Sequence, residues 1–177
     1  SMYLKKIVCE NMGPISVADI TPGFHPNGNP KPLVIVGKNG TGKSILISNI
    51  VDSFYEFGNQ AYVDVAKKTG LSNLYFKIAA SNQIRLGKKS MICRLDYKMD
   101  DNSSSSPFYT YYQDVFPKDN LYKEPNDIVH YNSIYGEKSV KRNKEKDFTS
   151  NKALFKKEFD KSALVFFPPE RFFVPYW

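Results

Sequence analysis

Cysteine is nearly missing from this chain. Cys9 and Cys93 are its whole supply, far apart and each inside a strand-like run. A small disulfide scaffold would carry more, so two buried free thiols are expected. The two histidines, His25 and His130, are isolated from each other and from the cysteines. Zinc is therefore not expected, and each histidine reads as a surface or loop residue. No apolar stretch approaches the roughly 18 residues of a membrane-spanning helix. Ser1-Met2-Tyr3-Leu4-Lys5-Lys6 is followed by a mixed strand pattern, not the unbroken apolar core of a signal peptide. Ser1 ahead of Met2 reads as a residue left by removal of an expression tag and is set aside. The expectation is a cytoplasmic protein with no membrane contact. Arginines are few, at positions 85, 94, 142 and 171, and supply no clustered lid of the kind small kinases use. The N-K-x-D motif that recognises guanine is also absent.

What is present suffices for one domain, or for a large part of a bigger one. Hydrophobic residues make up 41% and aromatics 15%, enough for a single core. The formal charge of +7 is uneven. Between Lys138 and Lys161 stand nine basic and four acidic residues, so this segment carries most of the excess. Such a cluster can be an electrostatic footprint for nucleic acid, or simply a solvated lysine-rich face.

The residues that point to chemistry are Gly37-Lys38-Asn39-Gly40-Thr41-Gly42-Lys43-Ser44, a complete G-x-x-x-x-G-K-S phosphate-binding loop. It follows the apolar run Leu33-Val34-Ile35-Val36, read as a buried strand, and precedes a helical run beginning Ile45-Leu46-Ile47. Glycines let several backbone N–H groups converge on one anion, and the following helix adds unpaired N–H groups and the positive end of its dipole. Asn39, Gly40, Thr41, Gly42, Lys43, Ser44 and Ile45 are the candidate nucleotide-binding residues, acting mostly through backbone N–H groups. Lys43 is expected at the β- and γ-phosphates and the Ser44 hydroxyl on Mg²⁺. ATP and Mg²⁺ are the expected ligands.

Along the rest of the chain, Tyr3 to Cys9 reads as a strand, Gly13-Pro14 as a turn, and Ile15, Val17 and Ile20 as a returning strand. Residues 21–32 are a proline- and glycine-rich loop. Ile47, Ile50, Val51 and Phe54 recur at helical spacing and are expected to face the sheet, with Gly58 interrupting the helix. A second helix is expected over Gln60–Lys68, stopped by Gly70. Residues 74–78, 90–97 and 108–112 are β-rich and suggest an antiparallel sheet beside the nucleotide-binding one. The polar stretch 99–107 reads as a flexible hairpin loop, and 117–149 as a charged irregular insertion. A short helix over Ser150–Lys161 would turn Leu154, Phe155 and Phe159 inward, and Ala163–Phe167 reads as a buried strand.

Leu4-Lys5-Lys6-Ile7, then Asn11-Met12-Gly13-Pro14-Ile15, then the phosphate loop form a pattern that resembles the N-terminal lobe of RecF/SMC-like ABC-type ATPases, found in DNA repair and anti-phage defence. Met12 stands where phenylalanine is commoner in such chains. The resemblance covers about the first 57 residues, and the stretch from Leu164 to Trp177 is similar to the segment that leaves the first lobe. It implies an α/β fold: a P-loop NTPase lobe with a mixed sheet around the P-loop helix and an added antiparallel β-sheet, the incomplete half of an ABC-type ATPase head. It also implies ATP-driven head-to-tail homodimerisation coupled to DNA or to an effector nuclease. The strand ending in Asp-Glu that hydrolysis needs is missing: Leu95-Asp96-Tyr97 lacks the glutamate, and Phe167-Pro168-Pro169-Glu170 has prolines where the aspartate belongs. No L-S-G-G-type signature is present. Residues 2–177 therefore read as an N-terminal lobe whose C-terminal lobe is absent, able to bind ATP but with no assignable catalytic residue. Arg171 or Glu170 could monitor the γ-phosphate in this resemblance, or merely cap a turn. The competing readings are a small P-loop kinase and a nonenzymatic nucleic-acid-binding domain.

Overall fold

A computed structural model describes residues 2–62, 83–99, 106–114, 146–148 and 151–161. Within them, an antiparallel five-stranded sheet packs against two helices, making a mixed α/β arrangement. The strands are β1 (Met2–Met12), β2 (Ile15–Ile20), β3 (Ser90–Met99), β4 (Phe108–Asp114) and β5 (Lys146–Phe148). Helix α1 spans Lys43–Ala61 and helix α2 spans Lys152–Phe159. The sheet order is β2-β1-β3-β4-β5, and every pairing is antiparallel.

The two central strands, β1 and β3, are long and apolar on the face beneath α1, while their other face mixes Val8 and Ile92 with Lys6, Glu10, Arg94 and Asp96. Ile7 and Cys9 on one face join the core beneath α1, and so do Cys93, Leu95 and Tyr97, while Val8 and Ile92 on the other face are equally buried. Alternation fixes the register: Ile7 pairs with Leu95 and Cys9 with Cys93, so one residue's slip would carry every core side chain to the wrong face. At the β1–β2 side, Lys6 holds Asp19 at 2.6 Å and donates to Thr21 at 3.2 Å.

Helix α1 lies on this sheet through a partly polar surface. Ser53 and Tyr97 share a hydroxyl hydrogen bond of 2.5 Å, and the Tyr97 ring takes edge contacts from Phe54 and Phe57. Phe57 stacks on Phe155 with ring centroids 4.5 Å apart, which docks α2 onto α1. Asn151 caps α2 by accepting from the Leu154 N–H at 3.0 Å, and Lys156 and Lys157 sit favourably in its last turn. Tyr62 donates to Asp160 at 2.8 Å, closing the far end of the helix pair.

Several sequence expectations change here. The strand expected over Leu33–Val36 is not formed; these residues belong to no sheet among the described residues. A strand exists only by pairing, and no described strand borders this run. The β-rich segments 90–97 and 108–112 do not build a second sheet beside a mixed one, because β3 pairs directly with β1. Gly58 does not interrupt α1; the helix runs through it, and the Gly58 carbonyl accepts from the Tyr62 N–H at the C-terminus. Of the four residues expected to face the sheet, Val51 is buried and Ile50 and Phe54 pack against the core, but Ile47 is 39% exposed. Residues 146–148, expected to be irregular, form β5. The loop over 21–32 is present, pinched by a bridge between Phe24 and Pro30. Only Gln60 and Ala61 of the expected second helix are described as helical, and they belong to α1. Its remainder beyond Tyr62, the strands expected at 74–78 and 163–167, and most of the 99–107 loop and the 117–149 insertion lie outside the described residues.

Candidate nucleotide-binding site

The candidate loop joins the run Leu33–Val36 to α1, and its residues 37–41 are exposed to solvent. Asn39, Gly40 and Thr41 form its turn, Gly42 is the N-cap of α1, and Lys43, Ser44 and Ile45 make the first helical turn. All seven predicted site residues are thus brought together at one helix N-terminus. Ser44 is exposed, Lys43 and Ile45 are half-buried, and Ile45 packs against the core.

Local hydrogen bonds shape the loop. Thr41 Oγ1 donates to the Lys38 carbonyl at 2.8 Å. The Lys43 ammonium folds back over the loop and donates to the Gly37 and Lys38 carbonyls at 2.6 and 2.7 Å. The α1 ladder begins with the Leu46 N–H on the Gly42 carbonyl at 3.0 Å, so the amides of Lys43, Ser44 and Ile45 precede it. Gly42 has no side-chain cap and no acidic residue follows in the first turn, so the positive helix end carries no carboxylate of its own. Gly42 adopts φ 94°, and a Cβ there would lie 2.7 Å from Ile15 Cγ1. Both the left-handed backbone and the close approach of the β1–β2 turn demand glycine.

That turn is itself clamped. Asn11 sits at φ 57°, unusual for a side chain other than glycine. Gly13 N–H donates to the Gln83 carbonyl at 2.5 Å, and Arg85 N–H donates to the Asn11 carbonyl at 2.9 Å. The Arg85 guanidinium donates to the Pro14 carbonyl at 2.5 Å. Below the turn, Asn49 of α1 donates to Met12 Sδ at 3.2 Å and to the Ile45 carbonyl at 2.9 Å. The candidate loop therefore rests on a platform built by three segments: 11–15, 83–85 and the start of α1. Sequence reasoning missed Arg85, because no motif surrounds it and its role is set by a contact across more than 70 positions.

Carboxylates near the loop are few. Asp52 and Glu56 are buried on α1, where their charges help burial to push the Tyr109 phenol well above its usual range. Eight residues separate Ser44 from Asp52, about 12 Å along a helix, too far for a ligand sphere shared with Ser44. Asp96 is held by Arg94 at 2.9 Å. Among the described residues, no three His, Cys, Asp or Glu side chains gather to hold a metal ion. A Mg²⁺ at this loop would take its protein oxygen from Ser44 and the rest from phosphates and water. Glu170 and Arg171 lie outside the described residues. No described helix is long and apolar enough to cross a membrane. No family model matches the chain, and no curated protein matches it.

Proposed function

We propose that this chain binds ATP with Mg²⁺ through residues Asn39 to Ile45 and forms the nucleotide-binding lobe of a RecF/SMC-like P-loop ATPase head. The observation that carries the reading is the complete G-x-x-x-x-G-K-S loop at the N-terminus of the 19-residue helix α1, with the Lys43 ammonium held only a few ångströms away on two loop carbonyls. Those carbonyl bonds are weak substitutes for a phosphate. A charged donor gains more from a phosphate oxygen than from a neutral carbonyl, so Lys43 is poised to exchange one for the other. The exposed loop amides and the helix dipole supply the remaining anion-binding groups.

A second lobe completes the head in this proposal. Leu33, Val34 and Val36 are 42, 75 and 84% exposed, while Ile35 between them turns toward the core. One side of this run is anchored and the other presents apolar side chains directly ahead of the phosphate loop. Strands of a C-terminal lobe pairing along that run would create the mixed sheet the resemblance implies and bring the catalytic carboxylates. ATP-dependent pairing of two such heads, acting on DNA or on a nuclease partner, follows from the same resemblance. Exposed Lys152, Lys156 and Lys161 on and after α2 favour nucleic-acid contact as a second reading, which a steep fall in binding with added salt would support.

The test is calorimetry of ATP and Mg²⁺ with this chain and with Lys43→Ala, with phosphate release followed in parallel. Binding that disappears in the variant, without turnover in either, is the expected result. Equal binding by both proteins would remove the phosphate loop from the site, and fast turnover by this chain alone would refute its dependence on a second lobe.

A further inference from the structure

The two cysteines, 84 positions apart, are register partners on the adjacent central strands β1 and β3. Both side chains point to the α1 face, both are fully buried, and their sulfur atoms stand 3.1 Å apart in a shared hydrogen bond. We propose that Cys9 and Cys93 are a redox pair that closes reversibly into an intramolecular disulfide across β1 and β3. A disulfide needs sulfurs about 2.0 Å apart, so the pair must close by only about 1 Å. No other cysteine exists in the chain to compete as a partner. The pairing of the two sulfurs is independent of whether the candidate loop holds a nucleotide.

The chemistry requires a two-electron oxidant small enough to reach a buried pair, and a hydroperoxide fits. One thiol gives up its proton and its sulfur attacks the peroxide. The O–O bond breaks, a sulfenic acid forms and one water leaves. The second sulfur then attacks the sulfenic sulfur; the S–S bond forms, the S–O bond breaks and the second water carries away the remaining thiol proton. Two thiols and hydrogen peroxide become a disulfide and two waters. A dithiol reductant reverses the change by exchange. The first step is the slow one, since the thiolate is the nucleophile. The hydrogen bond from Cys9, reinforced by burial, pushes the Cys93 thiol well above its ordinary range. The second step is fast because the resolving sulfur is already in place. Such a pair stays reduced under mild conditions and closes under sustained peroxide, where an isolated buried thiol would be driven on to sulfinic acid.

The experiment exposes the folded full chain to hydrogen peroxide and quenches it with N-ethylmaleimide in denaturant. Intact mass and peptide mapping follow, each before and after dithiothreitol. The expected product is a monomer lighter by two hydrogen atoms that takes up no maleimide, maps to a joined pair of peptides containing Cys9 and Cys93, and regains two reactive thiols on reduction. Cys9→Ser and Cys93→Ser should each accumulate added oxygen instead. Because the joined peptides come from the unaltered chain, the result does not depend on either variant folding. The proposal is overturned by oxygen addition to the unaltered chain without loss of two hydrogens, or by disulfides formed between chains. It is equally overturned if both thiols survive peroxide doses that oxidise them in the unfolded chain.

Discussion

Asn49 donates its side-chain amide to the Met12 sulfur at 3.2 Å, joining the second turn of α1 to the last residue of β1. The Met12 thioether, a weak acceptor, here receives a buried donor. The Asn49 carbonyl oxygen, by contrast, is buried without a hydrogen-bond partner. An orphaned polar atom of this kind costs roughly 1–3 kcal/mol. Removing it while keeping the volume should offset the loss of one bond to sulfur and one to a helix carbonyl. Asn49→Leu is therefore expected to leave stability within about 1 kcal/mol of the unaltered chain. Urea denaturation checks this; a loss well above that figure would show that the amide is essential to the platform.

Two glycines of the candidate loop separate backbone conformation from crowding. Gly40 has φ 79° and a Cβ there would meet nothing within 4 Å, whereas at Gly42 it would strike Ile15 and approach Pro14 Cγ to 3.2 Å. Gly40→Ala should cost only the left-handed backbone term, about 1 kcal/mol. Gly42→Ala adds overpacking and should cost about 3 kcal/mol. Denaturation midpoints measured side by side decide it. Equal losses would mean that the β1–β2 turn yields freely and does not buttress the loop.

Much of the sheet was legible because its signals are local. β1 and β2 follow from alternation bounded by Gly13-Pro14, β3 and β4 from β-rich composition between polar connections, and the inward positions of Phe155 and Phe159 from helical spacing, while Leu154 is only half-buried. Partnership across the chain was not legible. Nothing in Ser90–Met99 says that its neighbour is β1, and the three residues of β5 carry no alternation to read. Leu33–Val36 was expected to be a buried strand because its composition is right, yet composition cannot supply a neighbour to pair with. Ile47 was misplaced for a related reason: the α1 surface against the sheet uses Asn49, Ser53 and Phe57, a partly polar stripe that an apolar count passes over. Cys9 and Cys93 were rightly read as buried free thiols, but their meeting is a property of the register.

Alkaline pH should unfold the sheet–helix core through its tyrosines. Burial pushes the Tyr97 phenol far above its usual range against an opposing hydrogen bond from Ser53, and burial with the Asp52 charge raises Tyr111 to about 12. Tyr109 is raised in the same direction by burial, then by Asp52 and Glu56. In the unfolded chain all three ionise near pH 10. Between that value and the folded ones, the unfolded state has released protons that the folded state still holds, so stability falls as pH rises. It is fully present below about pH 10 and lost progressively above it. Phenolate absorbance and circular dichroism recorded during one titration should show these three tyrosines ionising together with unfolding. Their ionisation at about pH 10 in a chain that remains folded would contradict the burial argument.

The exposed apolar run offers the sharpest separation between folding and assembly. Val34 and Val36 project into solvent while Ile35 anchors the segment, so the outer two contribute little to this chain's own core. Replacing both by serine should change stability by no more than about 1 kcal/mol, about 0.5 for each surface substitution. The same change removes the apolar side chains through which a second lobe would bury this edge, and exposed apolar edges also drive self-association. On the proposed function, the double variant is expected to be less prone to aggregate and unable to capture a C-terminal lobe, with any ATP affinity of this chain unchanged. Light scattering, co-purification and calorimetry read the three arms independently. A large fall in stability would place these valines in the chain's own core, and unimpaired capture would mean that the second lobe docks elsewhere.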